Sequence, residues 1–294
     1  DFSSNIFRSG LKIYPLDSAA KPKAMKFVNG SGKFFNTIHA NNYKFYEELW
    51  HVLQKEPLSF IDPELRGQAS AIGIQKGKPF EPSQRLQQTL TEAVAVGNAT
   101  ARAIWLKPRM EGAYIFEDKQ WYTGFIGKDY QWMKDSGMGG RNMDARTLFF
   151  YSATVNTPAM ALEIPGVGSN YAFSATDQAG NYLDGGNNYK VTLPADVPAK
   201  DFWSVVVYDP QTRSELQIPG GTAYPSKNNK RDQLSYNKDG SVTLYFGPKA
   251  PVGNESNWIQ TVPNKGWFVL LRLYGPLQSW FDKSWAPSDF ELIK

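Results

Sequence analysis

Gly266-Trp-Phe-Val-Leu-Leu-Arg-Leu-Tyr274 alternates two apolar faces with a single charge between them. In an extended chain, successive side chains point to opposite faces. One face then holds Trp267, Val269, Leu271 and Leu273, and the other holds Phe268, Leu270, Arg272 and Tyr274. A short run that is apolar on both faces reads as a strand covered on both sides. A guanidinium on such a strand must be paired or must face a polar cavity, because an unpaired charge in an apolar interior is costly.

Similar short segments precede it. Tyr171–Thr176, Asn188–Leu193, Phe202–Tyr208, Ser214–Ile218 and Ser241–Phe246 all read as strands. Turn signals separate them: Asp177-Gln-Ala-Gly180, Asp184-Gly-Gly186 and Asp239-Gly240. Strands at this spacing, with no helical pattern between them, predict an antiparallel sandwich or barrel. Thr147–Thr154 is apolar and β-branched enough to predict a further strand. Gln120–Phe125 reads as extended, and Tyr130–Lys134 as one helical turn.

The first third has a different period. Phe35, Ile38, Asn42, Phe45, Leu49 and Val52 follow 3–4 spacing and predict a helix over Thr37–Leu53, with Asn36 as N-cap. Asp62-Pro63-Glu64 opens a second helix that ends near Gly73. A third runs from Ser83 to Trp105 on a stripe including Leu86, Leu90, Val94 and Ile104. The first thirty residues mix short apolar pieces with Pro, Gly and Ser, which predicts an extended arm with a short strand at Leu11–Tyr14. The fold class is therefore α+β: a helical N-terminal third followed by an antiparallel jelly-roll β-sandwich. Residues 1–110 are the arm and the mainly helical region, and 111–294 are the connector and sandwich.

Composition narrows the function classes. The chain has 294 residues, 41% hydrophobic and 20% charged, a profile that folds. Cysteine is absent, which excludes disulfides, thiol catalysis and Cys-ligated metals. The net charge is +4, with Lys and Arg scattered, so the basic face that nucleic-acid binding needs is missing. No apolar run reaches the roughly 20 residues of a membrane-spanning helix.

Candidate chemistry comes from polar groups set in apolar patterns. His39 lies beside the stripe of the first helix, and His51 lies on its polar face, so they form no helical metal pair. Asn98 and Arg102 sit four residues apart on the third helix, next to its stripe. Tyr208, Asp209 and Arg213 cluster at a strand end. Either Asp209 forms an ion pair with an arginine that holds a loop, or these groups join Arg272 in an anion- or hydroxyl-binding site lined by Trp203, Tyr245 and Tyr274. No cofactor motif is evident. Gly30-Ser-Gly-Lys33 lacks the leading glycine of a phosphate loop, and no G-x-S-x-G elbow is present. The loop Asp177–Asn188 offers Asp177, Asn181, Asp184, Asn187 and Asn188, which could serve a divalent cation, but the spacing suits a plain turn better.

Several spaced stretches resemble a known family. They include Met25-Lys-Phe-Val-Asn-Gly-Ser-Gly-Lys33, Asn36-Thr-Ile-His-Ala-Asn41, Asn98-Ala-Thr-Ala-Arg102 and Asp144-Ala-Arg-Thr147. Ala199-Lys-Asp-Phe-Trp-Ser204, Tyr245-Phe-Gly-Pro248 and Leu271-Arg-Leu-Tyr-Gly-Pro276 extend the likeness toward the C-terminus. The chain is similar to bacterial proteins that carry paired domains of unknown function, DUF1254 followed by DUF1214. The resemblance implies a further N-terminal module, so that Asp1 marks a cleavage or truncation. It also implies export to the periplasm or outside the cell, and a jelly-roll C-terminal module. It carries over no catalytic residue.

Three functions are then in competition. The first is binding of a small organic or carbohydrate-like ligand where the sandwich meets the helices. The second is a hydrolase, metal-assisted or not, built from His39, Asn98, Arg102, Asp209 and Arg272. The third is assembly of a homo-oligomer by exchange of the arm at residues 1–30.

Overall fold

The strand that opened the reading occupies Phe268–Pro276 and lies inside a four-stranded sheet, paired on both edges. The computed structural model describes residues 2–33, 38–219 and 224–293. The chain divides into two compact units, Asp1–Thr37 and Ile38–Lys294.

In the first unit, Phe2–Gly10 is helix α1. An extended arm was expected here, and Leu11–Tyr14 forms no strand. Phe2, Ile6 and Phe7 share one helical face, and that spacing overrides the Ser and Gly content. The Phe7 ring lies 5.5 Å from that of Phe27.

The second unit contains everything else. Its helices are α2 (Lys44–Lys55), α3 (Pro63–Ala71), α4 (Gln84–Leu106), α5 (Met143–Ser152), α6 (Pro158–Ala161) and α7 (Gln278–Phe281). Its strands are β1 (Ser169–Ser174), β2 (Asn188–Leu193), β3 (Ala199–Tyr208), β4 (Ser226–Asn228), β5 (Val242–Gly247), β6 (Trp258–Gln260), β7 (Phe268–Pro276) and β8 (Glu291–Ile293).

Helix α2 starts seven residues later than its apolar stripe suggested. The Asn42 side chain accepts from the Lys44 backbone N–H at 3.1 Å, a local turn that sets the start. The expected N-cap Asn36, like Phe35, lies outside the described residues. α4 opens as read, with the Ser83 hydroxyl accepting from Leu86 N–H at 3.3 Å. The segment expected as a strand at Thr147–Thr154 is instead the body of α5. Asn142 caps it, its side chain accepting from Ala145 N–H at 3.1 Å, and Asp144 stands in the first turn. Tyr130–Lys134 forms turns and an isolated bridge rather than a helical turn. Tyr122 is extended as expected and pairs with Phe173 at the β1 edge.

Two four-stranded sheets form. Sheet I has the order β1-β7-β3-β4 and sheet II the order β6-β5-β2-β8. All pairings are antiparallel except β5 with β6, which run parallel. Ser214–Ile218 contributes only a bridge from Glu215 to Tyr208. The sheets face one another across a core that includes Val205, Leu271 and Leu273 from sheet I and Val191, Leu244 and Phe246 from sheet II. Each of those six is at most 1% exposed, so the odd-numbered face of β7 is the sandwich interior. The even-numbered face is also covered. Phe268 packs with Trp105 of α4 and with Leu148, Phe149 and Tyr151 of α5 in a second core. The Trp105 and Phe268 rings meet edge to face at 4.2 Å. A third core joins α2, α3 and α4 through Tyr46, Leu53, Ala69 and Leu90. The helical segment and the sheets thus belong to one unit, with sheet I as its middle layer.

Candidate functional site

The register of sheet I decides which side chains meet on its helix-facing side. Arg272 stands opposite Tyr171 on β1 and Ser204 on β3. One step along the same face, Tyr274 stands opposite Ser169 and Phe202; a step the other way, Leu270 stands opposite Phe173 and Val206. Cross-strand partners lie close enough to touch. Arg272 is held between two rings, its guanidinium carbon 5.6 Å from the Tyr171 centroid and 5.4 Å from that of Tyr274.

Of these residues, Ser169, Tyr171, Phe173, Leu270 and Arg272 form one wall of a cavity of about 280 Å³. Phe149 and Ser152 of α5 and Ala153 just past its end form the opposite wall, with Phe125, Met160 and Glu163 closing the sides. The volume is near the lower end of small-molecule sites, roughly 300–1,000 Å³. The lining is largely apolar, with a few polar groups set among rings.

Arg272 has no ion-pair partner among the described residues. Its Nε is buried without a hydrogen-bond partner. Two nearby phenols respond to it. Burial pushes the Tyr208 hydroxyl above the ordinary tyrosine value, and the Arg272 charge pulls against that shift. Tyr274 is raised by burial and opposed by Arg272 in the same way. The other charges at the cavity are already engaged. Glu163 is 2.7 Å from Lys128. Arg213 donates to the Gln211 carbonyl at 2.6 Å, stacks on Tyr151 and faces His39 Nε2 at 3.3 Å.

A second cavity, of about 480 Å³, lies among α2, α4 and α5 and is lined by residues that include His39, Asn98, Arg146 and Tyr151. His39 places its other ring nitrogen 3.2 Å from its neighbour's carbonyl, Ala40 O. Arg102 donates to the side chain of Gln211, at the loop after β3.

The residues singled out in the sequence thus sort by place. Arg272, Tyr208 and Arg213 line the first cavity, and Tyr274 stacks beside Arg272. His39 and Asn98 line the second. Trp203 and Tyr245, expected beside Arg272, are elsewhere. Trp203 is opposite Leu273 on the sandwich side of sheet I and is 3% exposed. Tyr245 belongs to sheet II, opposite Lys190 and Trp258. Asp209 pairs with Lys265 at 2.6 Å rather than with an arginine. Burial raises its carboxyl, but the bonds from Lys265 and the backbone of Gln211 and Thr212 outweigh that, and the net shift is downward.

Tyr171, Phe173, Phe149 and Glu163 escaped the sequence reading. The first two follow from alternation once the β1–β7 register is known. Phe149 was hidden because its segment read as a strand. In the loop Asp177–Asn188, the carboxylates serve the backbone: Asp177 Oδ1 accepts from Ala179 and Asn181, and Asp184 Oδ1 from Gly186. No group of three or more His, Asp or Glu side chains among the described residues is arranged to hold a metal ion. Among them, too, no helix is long and apolar enough to cross a membrane.

Residues 168–278, which run from the start of β1 into α7, match the family model described as Protein of unknown function (DUF1214). No curated protein matches the chain. Among solved structures, the chain is similar to the VPA0106 protein from Vibrio parahaemolyticus, with 18% identity and a TM-score of 0.41. That match covers 93% of this chain and 59% of the other. It is also similar to an uncharacterized protein from Burkholderia cenocepacia, with 12% identity and a TM-score of 0.32, over 85% of this chain and 50% of that one. The chain therefore spans about half to three fifths of the length of these solved proteins.

Proposed function

We propose that the chain binds a small organic molecule in the cavity between sheet I and α5. The observation that carries this reading is a formed cavity of about 280 Å³ with aromatic walls and an arginine, Arg272, whose buried Nε has no hydrogen-bond partner and which forms no ion pair among the described residues. Apolar walls with a few placed polar groups are the usual make-up of small-molecule sites. The jelly-roll topology, export to the periplasm or cell exterior, and pairing with an N-terminal module all rest on the family resemblance and belong to the same proposal. The hydrolase alternative gains no support from His39, whose ring nitrogens face a carbonyl and a guanidinium rather than a nucleophile. Arm exchange between copies is a reading that no observation on the second unit favours.

The test is a thermal-shift screen of small acids, neutral aromatics and sugars on the wild type and on Ala153→Phe, which fills the cavity. A ligand that binds only the folded state raises the melting temperature with concentration. The reading expects one class to stabilise the wild type and not Ala153→Phe. No stabilisation by any class, or equal stabilisation of both proteins, overturns it.

A further inference from the structure

We infer that the ligand of this cavity is a carboxylate with a flat or branched apolar body, its carboxylate on Arg272; this rests on the binding reading above. The argument is a charge and hydrogen-bond balance over the cavity wall. Glu163 is neutralised by Lys128 at 2.7 Å. Arg213 is occupied by the Gln211 carbonyl and by the Tyr151 ring. Neither arginine has a carboxylate partner among the described residues, but Arg213 spends donors on that carbonyl, whereas Arg272 lies near two rings and its Nε is buried without a hydrogen-bond partner. A guanidinium presents a fork of donors matched to the two oxygens of a carboxylate.

The remaining wall fixes the rest of the molecule. Phe125, Phe149, Phe173, Phe268 and Leu270 offer only apolar surface. Three of the wall's hydroxyls are already committed. Ser152 donates to the Leu148 and Phe149 carbonyls, and Ser169 and Tyr171 bond each other at 2.6 Å. A sugar would bring many hydroxyls to a wall with few free partners, each left unmade at a cost. An acid with an apolar body buries that body against the rings and meets Arg272 with its one charged end. Of the two ligand types weighed from the sequence, organic or carbohydrate-like, the balance selects the organic acid.

The experiment is calorimetric titration of the purified protein with benzoate, phenylacetate and 3-methylbutanoate, each against its amide, with glucose as a further arm. An Arg272–carboxylate contact predicts that each amide binds about 10- to 100-fold more weakly than its acid. It also predicts that Arg272→Gln removes the preference for the acid. The acid–amide comparison on the wild type needs no variant, so it decides even where Arg272→Gln fails to fold. Equal binding of acid and amide leaves the cavity reading intact and overturns the carboxylate. Preference for glucose does the same. An acid preference that persists in Arg272→Gln places the anion elsewhere and overturns it too. Binding by none of these probes overturns both.

Discussion

Arg213 lays its guanidinium carbon 4.5 Å from the ring centroid of Tyr151 and so ties the loop after β3 to helix α5. Arg213 lines the first cavity and Tyr151 the second, so this stack is the partition between them. Arg213 holds it in a left-handed backbone conformation, φ +58°. That conformation costs a non-glycine residue roughly 1–2 kcal/mol.

Two substitutions separate the stack from the strain. Arg213→Ala loses the stack and keeps the strain, while Arg213→Gly loses the stack and relieves it. The glycine variant is expected to be the more stable of the two by about 1 kcal/mol. Urea unfolding of the pair checks this, and an alanine variant at least as stable as the glycine one would show that the loop carries no strain.

Asp209 and Lys265 give a pH dependence with a definite sign. The folded Asp209 carboxyl lies below its unfolded value, despite the upward push of burial. Its stabilising contribution is therefore present above the unfolded value and is lost as pH falls through the folded one. Asp209→Asn, which sets an amide against Lys265, is expected to cost about 1–3 kcal/mol at neutral pH. The deficit should shrink on acidification. Denaturant melts from pH 7 to pH 3 follow it; a constant deficit would mean that the pair contributes through shape alone.

Asp289 predicts the opposite sign. Burial is the main influence on its carboxyl and raises it, although the Gln120 N–H and Lys119 pull the other way. The folded state thus favours the protonated form, and stability falls as pH rises from the unfolded value through the folded one. Asp289→Asn keeps an oxygen for the Gln120 N–H, now 2.8 Å away, and removes the charge. The variant should gain stability over the wild type at pH 7 and show no gain at pH 3. A loss at pH 7 would mean that the charge itself is needed.

Gly185 sits where the chain approaches itself. A Cβ there would come within 2.8 Å of the Val262 carbonyl carbon and 2.9 Å of the Lys265 oxygen. Gly185 also donates to that Lys265 oxygen at 2.8 Å and accepts from Thr261 at 2.8 Å. Both partners are backbone or buried, so neither side yields easily. Gly185→Ala is expected to cost about 1–3 kcal/mol, the range for overpacking. A melting temperature equal to that of wild type would show that the loop can shift.

The sheets were more legible in the sequence than the site. β2 falls at Asn188–Leu193 as read, because the Asp184-Gly-Gly186 turn opens it and its apolar residues alternate. The two faces of β7 were assigned correctly because alternation depends only on local geometry. Arg272 stood out for the same reason. α5 was misread because Leu148-Phe-Phe-Tyr151 is apolar enough for either structure, and the deciding signal was the Asn142 cap upstream. Trp203 was misplaced because its face depends on pairing with Leu273, and cross-strand register is a property of the folded sheet. β4, β6 and β8 have three residues each, too few for a pattern to register. The cavity itself could not be read, since its walls are some 120 residues apart in sequence, from Phe149 to Arg272, and meet only through tertiary packing.

The central claim is that the space between sheet I and α5 holds an organic acid. A crystal structure of the wild type grown with benzoate at saturating concentration tests it most directly. The account predicts a bound molecule in the cavity, its ring against Phe149 and Phe173 and its carboxylate oxygens about 2.7–2.9 Å from the terminal nitrogens of Arg272. A cavity left empty under those conditions, or benzoate bound only at another surface, would contradict it.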